Sequence, residues 1–159
     1  RWAVRCFTHP GYVFPLPPEH PFPMEKFPES ARRIAARAGN RIRLLTAPPA
    51  SREQLERVHS RVYLDKIASG GLTHAETVRL GLPPCQALLD RCALETGGTV
   101  AALRAALEDG LACNLAGGTH HAFGDRGLGY CVLNDAAVAV RDLHAGAPDV
   151  RVAVVDTDA

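Results

Sequence analysis

Two adjacent histidines, His120 and His121, follow a glycine pair in the stretch GGTHHAFGDRGLGYCVLNDA at residues 117–136. Two carboxylates one residue apart, Asp156 and Asp158, follow the apolar run VRVAVV at 150–155. A neutral imidazole takes up a proton near pH 7, and imidazole nitrogen and carboxylate oxygen are metal ligands. Together they are the raw material of metal-assisted hydrolysis, in which a cation activates water and a histidine accepts its proton. In an extended chain residues i and i+2 point to one side, so Asp156 and Asp158 are spaced to converge on a cation. Taken alone, the same D-x-D also reads as the solvated end of a strand. The histidine pair alone also reads as two loop residues, one of them hydrogen-bonded in the core. Gly117 and Gly118 permit a sharp turn and close backbone approach. Gly129 and Tyr130 read either as the wall of a narrow channel or as a turn glycine and a core aromatic. Cys131 reads as an inert buried thiol rather than a nucleophile. His9, His20, His59, His74 and His144 read as surface or structural histidines, without metal roles.

These residues need elements to hold them. WAVRCF (2–7) reads as a first strand, and residues 8–28 form a proline-rich loop without helical period. A loop of that length in a compact domain is usually functional. Residues 29–38 read as a helix closed by Gly39, and IRLL (42–45) as a strand. Ser51 and Gln54 form a capping box for a short helix, and a second short helix covers 61–68. Residues 85–95 read as a helix stopped by Gly97-Gly98, with Thr99 capping a further helix that Gly110 ends. LACNLA (111–116) is a buried strand candidate. Asn134 and Asp135 are placed to cap a helix over 135–144. VRVAVV reads as a buried parallel strand. Strands alternating with helices predict an α/β fold with a parallel sheet, whose ligands sit beyond the carboxyl ends of the strands. The His pair after LACNLA and the Asp pair after VRVAVV both obey that rule.

Composition excludes several classes. A chain of 159 residues with 47% hydrophobic residues is long and apolar enough for one domain with a sizeable core. The net charge of +1, without long charged runs, argues against nucleic-acid or membrane-surface partners. No apolar stretch has membrane-spanning length, and no signal-peptide pattern opens the chain. The five cysteines are scattered without C-x-x-C spacing, so neither a zinc ribbon nor a disulfide scaffold is indicated, and a reducing cytoplasm is the expected setting.

In combination and in order, these segments resemble the histone deacetylase family. The resemblance rests on GGTHHAFGDRGLGYCVLNDAAVAV and VAVVDTDA, with HPFPMEKF (20–27), VHSRVYLDKI (58–67) and ETGGTVAALRAAL (95–107), and covers nearly the whole chain. The flavour is that of bacterial members similar to the class IV type. The resemblance implies an open three-layer α/β fold of the arginase–deacetylase type, with a central parallel sheet flanked by helices. It implies a zinc-dependent amidohydrolase acting on acetyl-lysine proteins or peptides, or on a related acylated amine. By position, Asp158 matches a zinc ligand. Asp156 matches the acid that supports His120 and shares a structural monovalent-cation site, usually potassium. His121 matches the general base, and His120 its electrostatic partner. Gly129 and Tyr130 match the walls of the acyl-lysine tunnel, where phenylalanine is the commoner aromatic.

The sequence departs from the family pattern in places. The pattern continues from the second Asp with a His ligand two residues on, then a later Asp and an oxyanion tyrosine, and these positions lie beyond Ala159. Residues 1–159 therefore read as the N-terminal part of a single catalytic domain, inactive and marginally folded alone. VRLGLPPCQ (78–86) offers no acid to grip a peptide backbone, which keeps a small acetylated amine open as substrate. EHPF (19–22) is the candidate for selectivity at the rim, with plain packing as the alternative. An acetylpolyamine amidohydrolase and a non-catalytic acyl-lysine binding module are the competing readings. An arginase-like dimanganese site is disfavoured, because D-T-D-A does not match its D-x-H-x-D.

Overall fold

The computed structural model describes residues 3–158. Its centre is a parallel sheet of three strands in the order β2-β1-β3: β1 is Val4–Thr8, β2 Ile42–Thr46 and β3 Ala112–Asn114. Val4 lies opposite Ile42 and Arg5 opposite Ala112. Parallel neighbours require long crossovers, and here these carry the helices that flank the sheet. The helices are α1 (Lys26–Ala38), α2 (Arg52–Glu56), α3 (Arg61–Ser69), α4 (His74–Leu80), α5 (Gln86–Asp109) and α6 (Asp135–Gly146). Tyr12, Leu64, Ile67, Leu88, Leu133 and Val138 are among the fully buried side chains of the core. This is the α/β architecture with a parallel sheet that the alternating elements predict.

Several helix starts are written locally. Ser51 and Gln54 form the expected capping box on α2, and the Asn134 side chain accepts the Ala137 N–H at the start of α6. A second capping box, Thr73 with Glu76, starts α4, which sequence reasoning left out although T-x-x-E was there to be read. Helix α1 begins at Lys26 inside the segment expected to be loop. Pro28 sits in its first turn, where a missing N–H costs nothing.

Helix α5 corrects the largest error. Gly97 and Gly98 do not stop it, and Thr99 caps nothing: the helix runs unbroken to Gly110. Both glycines are buried, and their missing side chains make room. A Cβ on Gly97 would lie 1.9 Å from the Pro48 carbonyl oxygen, and one on Gly98 would lie 2.4 Å from the Tyr12 hydroxyl. The segment after β2 thus docks directly on the helix, with the Ala50 N–H donating to the Ala93 carbonyl at 2.8 Å. A glycine costs a helix about 1 kcal/mol relative to alanine, and here that cost is exchanged for backbone contact.

The expected strand over 150–155 is absent. These residues carry no ladder among the described residues, and Val154 and Val155 are 66% and 85% exposed. An apolar run of this kind becomes a strand only where a neighbour takes its backbone hydrogen bonds and layers cover both faces, and no described segment does either. LACNLA shrinks to the half-buried β3 for the same reason. Trp2, expected in the first strand, lies outside the described residues.

Between β3 and α6 the chain makes a long loop, and the junction of α2 and α3 grips it. The His59 Nδ1–H donates to the Phe123 carbonyl at 3.0 Å, and its Nε2 accepts the Asn134 N–H at 3.0 Å. That pattern fixes the neutral tautomer. The Ser60 N–H adds a bond to the Gly124 carbonyl, and the Tyr63 hydroxyl one to the Val132 carbonyl. His59 is buried, and burial lowers its pKa.

Two outcomes follow. Gly97→Ala destabilises the protein by about 3 kcal/mol, read as a lower urea midpoint at unchanged slope, because backbone rather than a yielding side chain occupies the space. For His59, the unfolded chain protonates first as pH falls below about 6.5, so the contribution is complete above that value and is lost on acidification. A His59→Gln variant loses thermal stability more gently than the native protein between pH 7 and 5.5. Parallel curves would show that His59 does not carry the acid sensitivity.

Candidate active site

The loop that follows β3 is folded around one carboxylate. Asp135, the first residue of α6, is 3% exposed. Its side chain accepts the N–H of Gly118 at 3.1 Å and that of Thr119 at 2.9 Å. It also lies 2.7 Å from the Thr99 hydroxyl and 2.8 Å from that of Thr119. Gly117 and Gly118 reach this arrangement with φ of 92° and 70°. A Cβ on Gly117 would sit 2.2 Å from an Asp135 oxygen, so only glycine passes there. Behind Thr99 the polar chain continues. The Asn114 amide donates to Thr99 Oγ1 at 3.0 Å and to the Glu95 carbonyl at 2.9 Å, and the Tyr12 hydroxyl donates to Asn114 Oδ1 at 2.8 Å. Sequence reasoning missed this anchor. Asp135 read only as a helix cap and Thr99 as the start of a helix, whereas both serve to hold the loop.

The turn so fixed presents His120 and His121 edge to face, with Nε2 atoms 3.0 Å apart. Asp156 meets Nδ1 of His120, and Asp158 Oδ2 lies 3.5 Å from Nε2 of the same ring. The two carboxylates thus converge on one imidazole from its opposite nitrogens. Asp156 is held below the usual carboxylate range, first by the Asp158 N–H at 3.0 Å and then by His120. An ionised Asp156 favours the proton on Nδ1 of His120 and leaves Nε2 as a lone pair toward His121.

One ligand atom from each of His120, His121 and Asp158 lies within 4.8 Å of the other two. Two imidazole nitrogens that face each other at 3.0 Å repel unless a proton or an electrophile lies between them. A proton shared between them removes that repulsion, and the Asp158 carboxylate alongside is the oxygen donor left free to hold a cation.

Gly129 and Tyr130 form the tip of a two-residue turn between Leu128 and Cys131, with φ of 54° and 67°. Positive φ at both central residues marks the type I′ hairpin turn. Helix α4 holds it. The Gly129 N–H donates to the Arg79 carbonyl at 3.0 Å and the Tyr130 N–H to the Leu80 carbonyl at 2.8 Å. The Tyr130 ring packs on Gly81 and faces Phe22 at 5.1 Å between centroids. His20 Nδ1 accepts the Phe22 N–H, so its Nε2–H donates to the Gly81 carbonyl at 2.8 Å. EHPF, the candidate selectivity segment, is thereby tied to the tyrosine. Burial pushes the Cys131 thiol up, which fits the inert reading.

These groups share a cavity of about 220 Å³, lined by His120, His121, Gly129, Tyr130 and Asp158 together with Phe22, Lys26, Phe27, Arg91 and Glu95. The Arg91 and Glu95 side chains are both about 95% buried and pair at 2.8 Å. Desolvation pushes the Glu95 carboxyl up to about 7 even with Arg91 beside it. Sequence reasoning passed over this pair, although opposite charges four residues apart on an apolar helix were its signal.

The histone deacetylase domain family matches residues 20–159. An uncharacterised protein of Picosynechococcus sp. is 40% identical over 151 residues, which cover 94% of this chain and 50% of that protein. The acetoin utilization protein AcuC of Bacillus subtilis is 34% identical, over 73% of this chain and 32% of its own length. The histone deacetylase-like amidohydrolase of Pseudomonas aeruginosa is 30% identical, over 82% and 37%. The chain therefore spans half or less of the length of these relatives. Among solved structures, an HDAC homolog complexed with SAHA superposes with a TM-score of 0.72 at 24% identity, over 92% of this chain and 42% of that one. That likeness carries the fold, the open α/β arrangement of the arginase–deacetylase type. With the family match covering most of its residues, this chain belongs to the histone deacetylase family.

Proposed function

We propose that residues 1–159 form the N-terminal part of a zinc-dependent deacylase domain that hydrolyses the amide of acetyl-lysine or a related acylated amine. The observation that carries this reading is the meeting of His120, His121 and Asp158 at one wall of a cavity, with Asp156 on the far nitrogen of His120. Asp158 is the residue assigned to hold zinc. Zinc bound there would polarise the acyl carbonyl and acidify a water molecule. Asp156 would also lend oxygen to a structural monovalent cation, potassium in the family, which needs further oxygen ligands.

The chain's own residues then divide the work. His121 accepts the proton of the attacking water, and its neighbour His120, oriented by Asp156, balances the positive charge that develops. A histidine must return a proton to the departing amine, because an amine anion is a very poor leaving group. Gly129 and the Tyr130 ring flank the acyl-amine stem. Substrates are acetylated protein or peptide lysines or a small acetylated amine, without nucleic-acid or membrane partners. An acetylpolyamine would use the same site, and rates on acetyl-lysine peptides against acetylated polyamines separate the two. Among the described residues no helix is long and apolar enough to cross a membrane. A cytoplasmic setting is part of this proposal and rests on the scattered cysteines, which have neither C-x-x-C spacing nor the pattern of a disulfide scaffold.

The test uses the protein expressed from its complete reading frame. Hydrolysis of a fluorogenic acetyl-lysine substrate is lost on chelation and restored by zinc, and His121→Ala lowers kcat about a hundredfold or more. Turnover indifferent to chelator and to that substitution would refute the reading. A bound but unhydrolysed substrate, held equally by His121→Ala, would mark a binding module instead. A further variant probes the loop anchor. Asp135→Asn sets amide N–H groups against the N–H donors of Gly118 and Thr119, and costs about 1–3 kcal/mol in stability. Its kcat per folded molecule falls about tenfold or more because the His pair loses its footing. Unchanged kcat in the folded fraction would make Asp135 a stabilising residue only.

A further inference from the structure

His120 and His121 are the two central residues of a turn that the Ala122 N–H closes onto the Thr119 carbonyl at 3.5 Å. His121 is exposed, so packing does little to hold its ring and the backbone of the turn sets its direction. Two consecutive side chains at the start of α6 grip that backbone from its two ends. Asp135 takes the N–H groups of Gly118 and Thr119, where the chain enters the turn. Asn134 takes carbonyls where it leaves. Its amide nitrogen donates to the His120 carbonyl at 3.4 Å and to the Ala122 carbonyl at 3.2 Å, and these two groups bracket His121 along the chain. The helix fixes which way the amide faces. Asn134 Oδ1 accepts the Ala137 N–H at 3.0 Å, so the nitrogen is left to point at the loop. The backbone N–H of Asn134 is tied in turn to His59 Nε2. Capping α6 requires only the side-chain oxygen, and aspartate or serine would supply one equally well. The amide nitrogen is surplus to capping, and it is the half that reaches the carbonyls around His121.

We propose that Asn134 is a positioning residue, whose amide N–H groups hold the peptide units on either side of His121 and so aim the His121 imidazole at the attacking water. The inference rests on the deacylase reading above and deepens it, naming a group that acts through His121 without touching substrate. A general base works only within hydrogen-bond reach of its proton, and a displacement of about 1 Å costs about a hundredfold in rate. Asp135 cannot supply this alignment alone. Its bonds to the loop end at Thr119, and both backbone dihedrals of His121 lie beyond them. Asn134 fixes that next stretch, because the two carbonyls it holds belong to the residues before and after His121.

The experiment compares Asn134→Asp and Asn134→Ser with the native sequence in the complete, zinc-loaded protein. Both substitutes keep an oxygen to cap α6, and both lack the amide donors. Asn134→Asp also turns a carboxylate toward the two carbonyls, and Asn134→Ser is the milder variant should the first fail to fold. Per folded molecule, kcat falls about tenfold or more in Asn134→Asp and by a lesser factor in Asn134→Ser, with KM within about twofold of native. A second readout needs no turnover. In protein carrying 13C-labelled histidine, the His121 ring signal, assigned by its loss in His121→Ala, broadens or splits in both variants, while those of His74 and His144 stay in place. Native kcat with an unmoved His121 signal would reduce Asn134 to a helix cap and overturn the proposal. A lower melting temperature with native kcat per folded molecule would overturn it as well. A native protein that hydrolyses no acylated amine would defeat the deacylase reading instead. The His121 signal then decides alone, a changed one upholding the grip of Asn134 on the turn and an unchanged one overturning it.

Discussion

Everything at the candidate site hangs on one buried carboxylate. Asp135 accepts hydrogen bonds from the backbone that immediately precedes the His pair, and it does so from the first turn of α6, where the helix N-terminus favours negative charge. A carboxylate withdrawn from water survives only if its acceptor sites are filled, and two N–H groups and two hydroxyls within reach fill them. The converse holds with equal force. The Gly117–Thr119 backbone turns sharply through left-handed conformations and has no ladder to satisfy it, so its N–H groups need an acceptor at that point. Loop and helix cap are each the solution to the other's unsatisfied polar groups.

The anchor is in turn located by α5. That helix places Thr99 against Asp135 and Glu95 against Arg91, and it leaves two glycine-sized gaps where the Pro48–Ala50 segment and the Tyr12–Asn114 pair press in. The same helix thus contacts β1, β3, α3 and α6. The price in helix propensity is small against what direct backbone contact permits, because a hydrogen-bonded relay from Tyr12 to Asp135 fits only where no side chain intervenes. Such a relay is unforgiving of partial loss, since each member left without a partner would be buried and unsatisfied.

Much of this was legible in the sequence, and the division follows the range of the interactions. Local signals were reliable. The Ser51–Gln54 capping box, the Asn134 cap and Gly110 as helix end follow from bonds within four residues. The meeting of His120, His121, Asp156 and Asp158 was legible too, since the four side chains lie together as spacing and resemblance led one to expect. What failed depended on distant partners. Gly97-Gly98 has the composition of a break, and only the approach of Pro48 and Tyr12 explains why the helix goes through. VRVAVV has the composition of a strand, yet a strand exists only with a neighbour to pair with. Asp135 and Thr99 read only as helix caps and Asn114 only as part of a strand, because the bonds that join them span 15 to 36 positions.

The same division explains the cavity wall. Tyr130 holds φ of 67°, a region that costs a bulky side chain about 1–2 kcal/mol. The conformation persists because the turn is over-determined. The last carbonyls of α4 take both N–H groups at its tip, Leu128 and Cys131 close its base, and Gly81 and Phe22 pack against the ring. The α4 carbonyls would otherwise lack partners at a helix C-terminus, so the bonds that hold the strained turn also finish the helix. A relaxed Tyr130 would swing its ring away from Phe22 and His20. Backbone strain here is therefore the cost of aiming one aromatic face into the cavity, and α4 supplies the stabilisation from outside it.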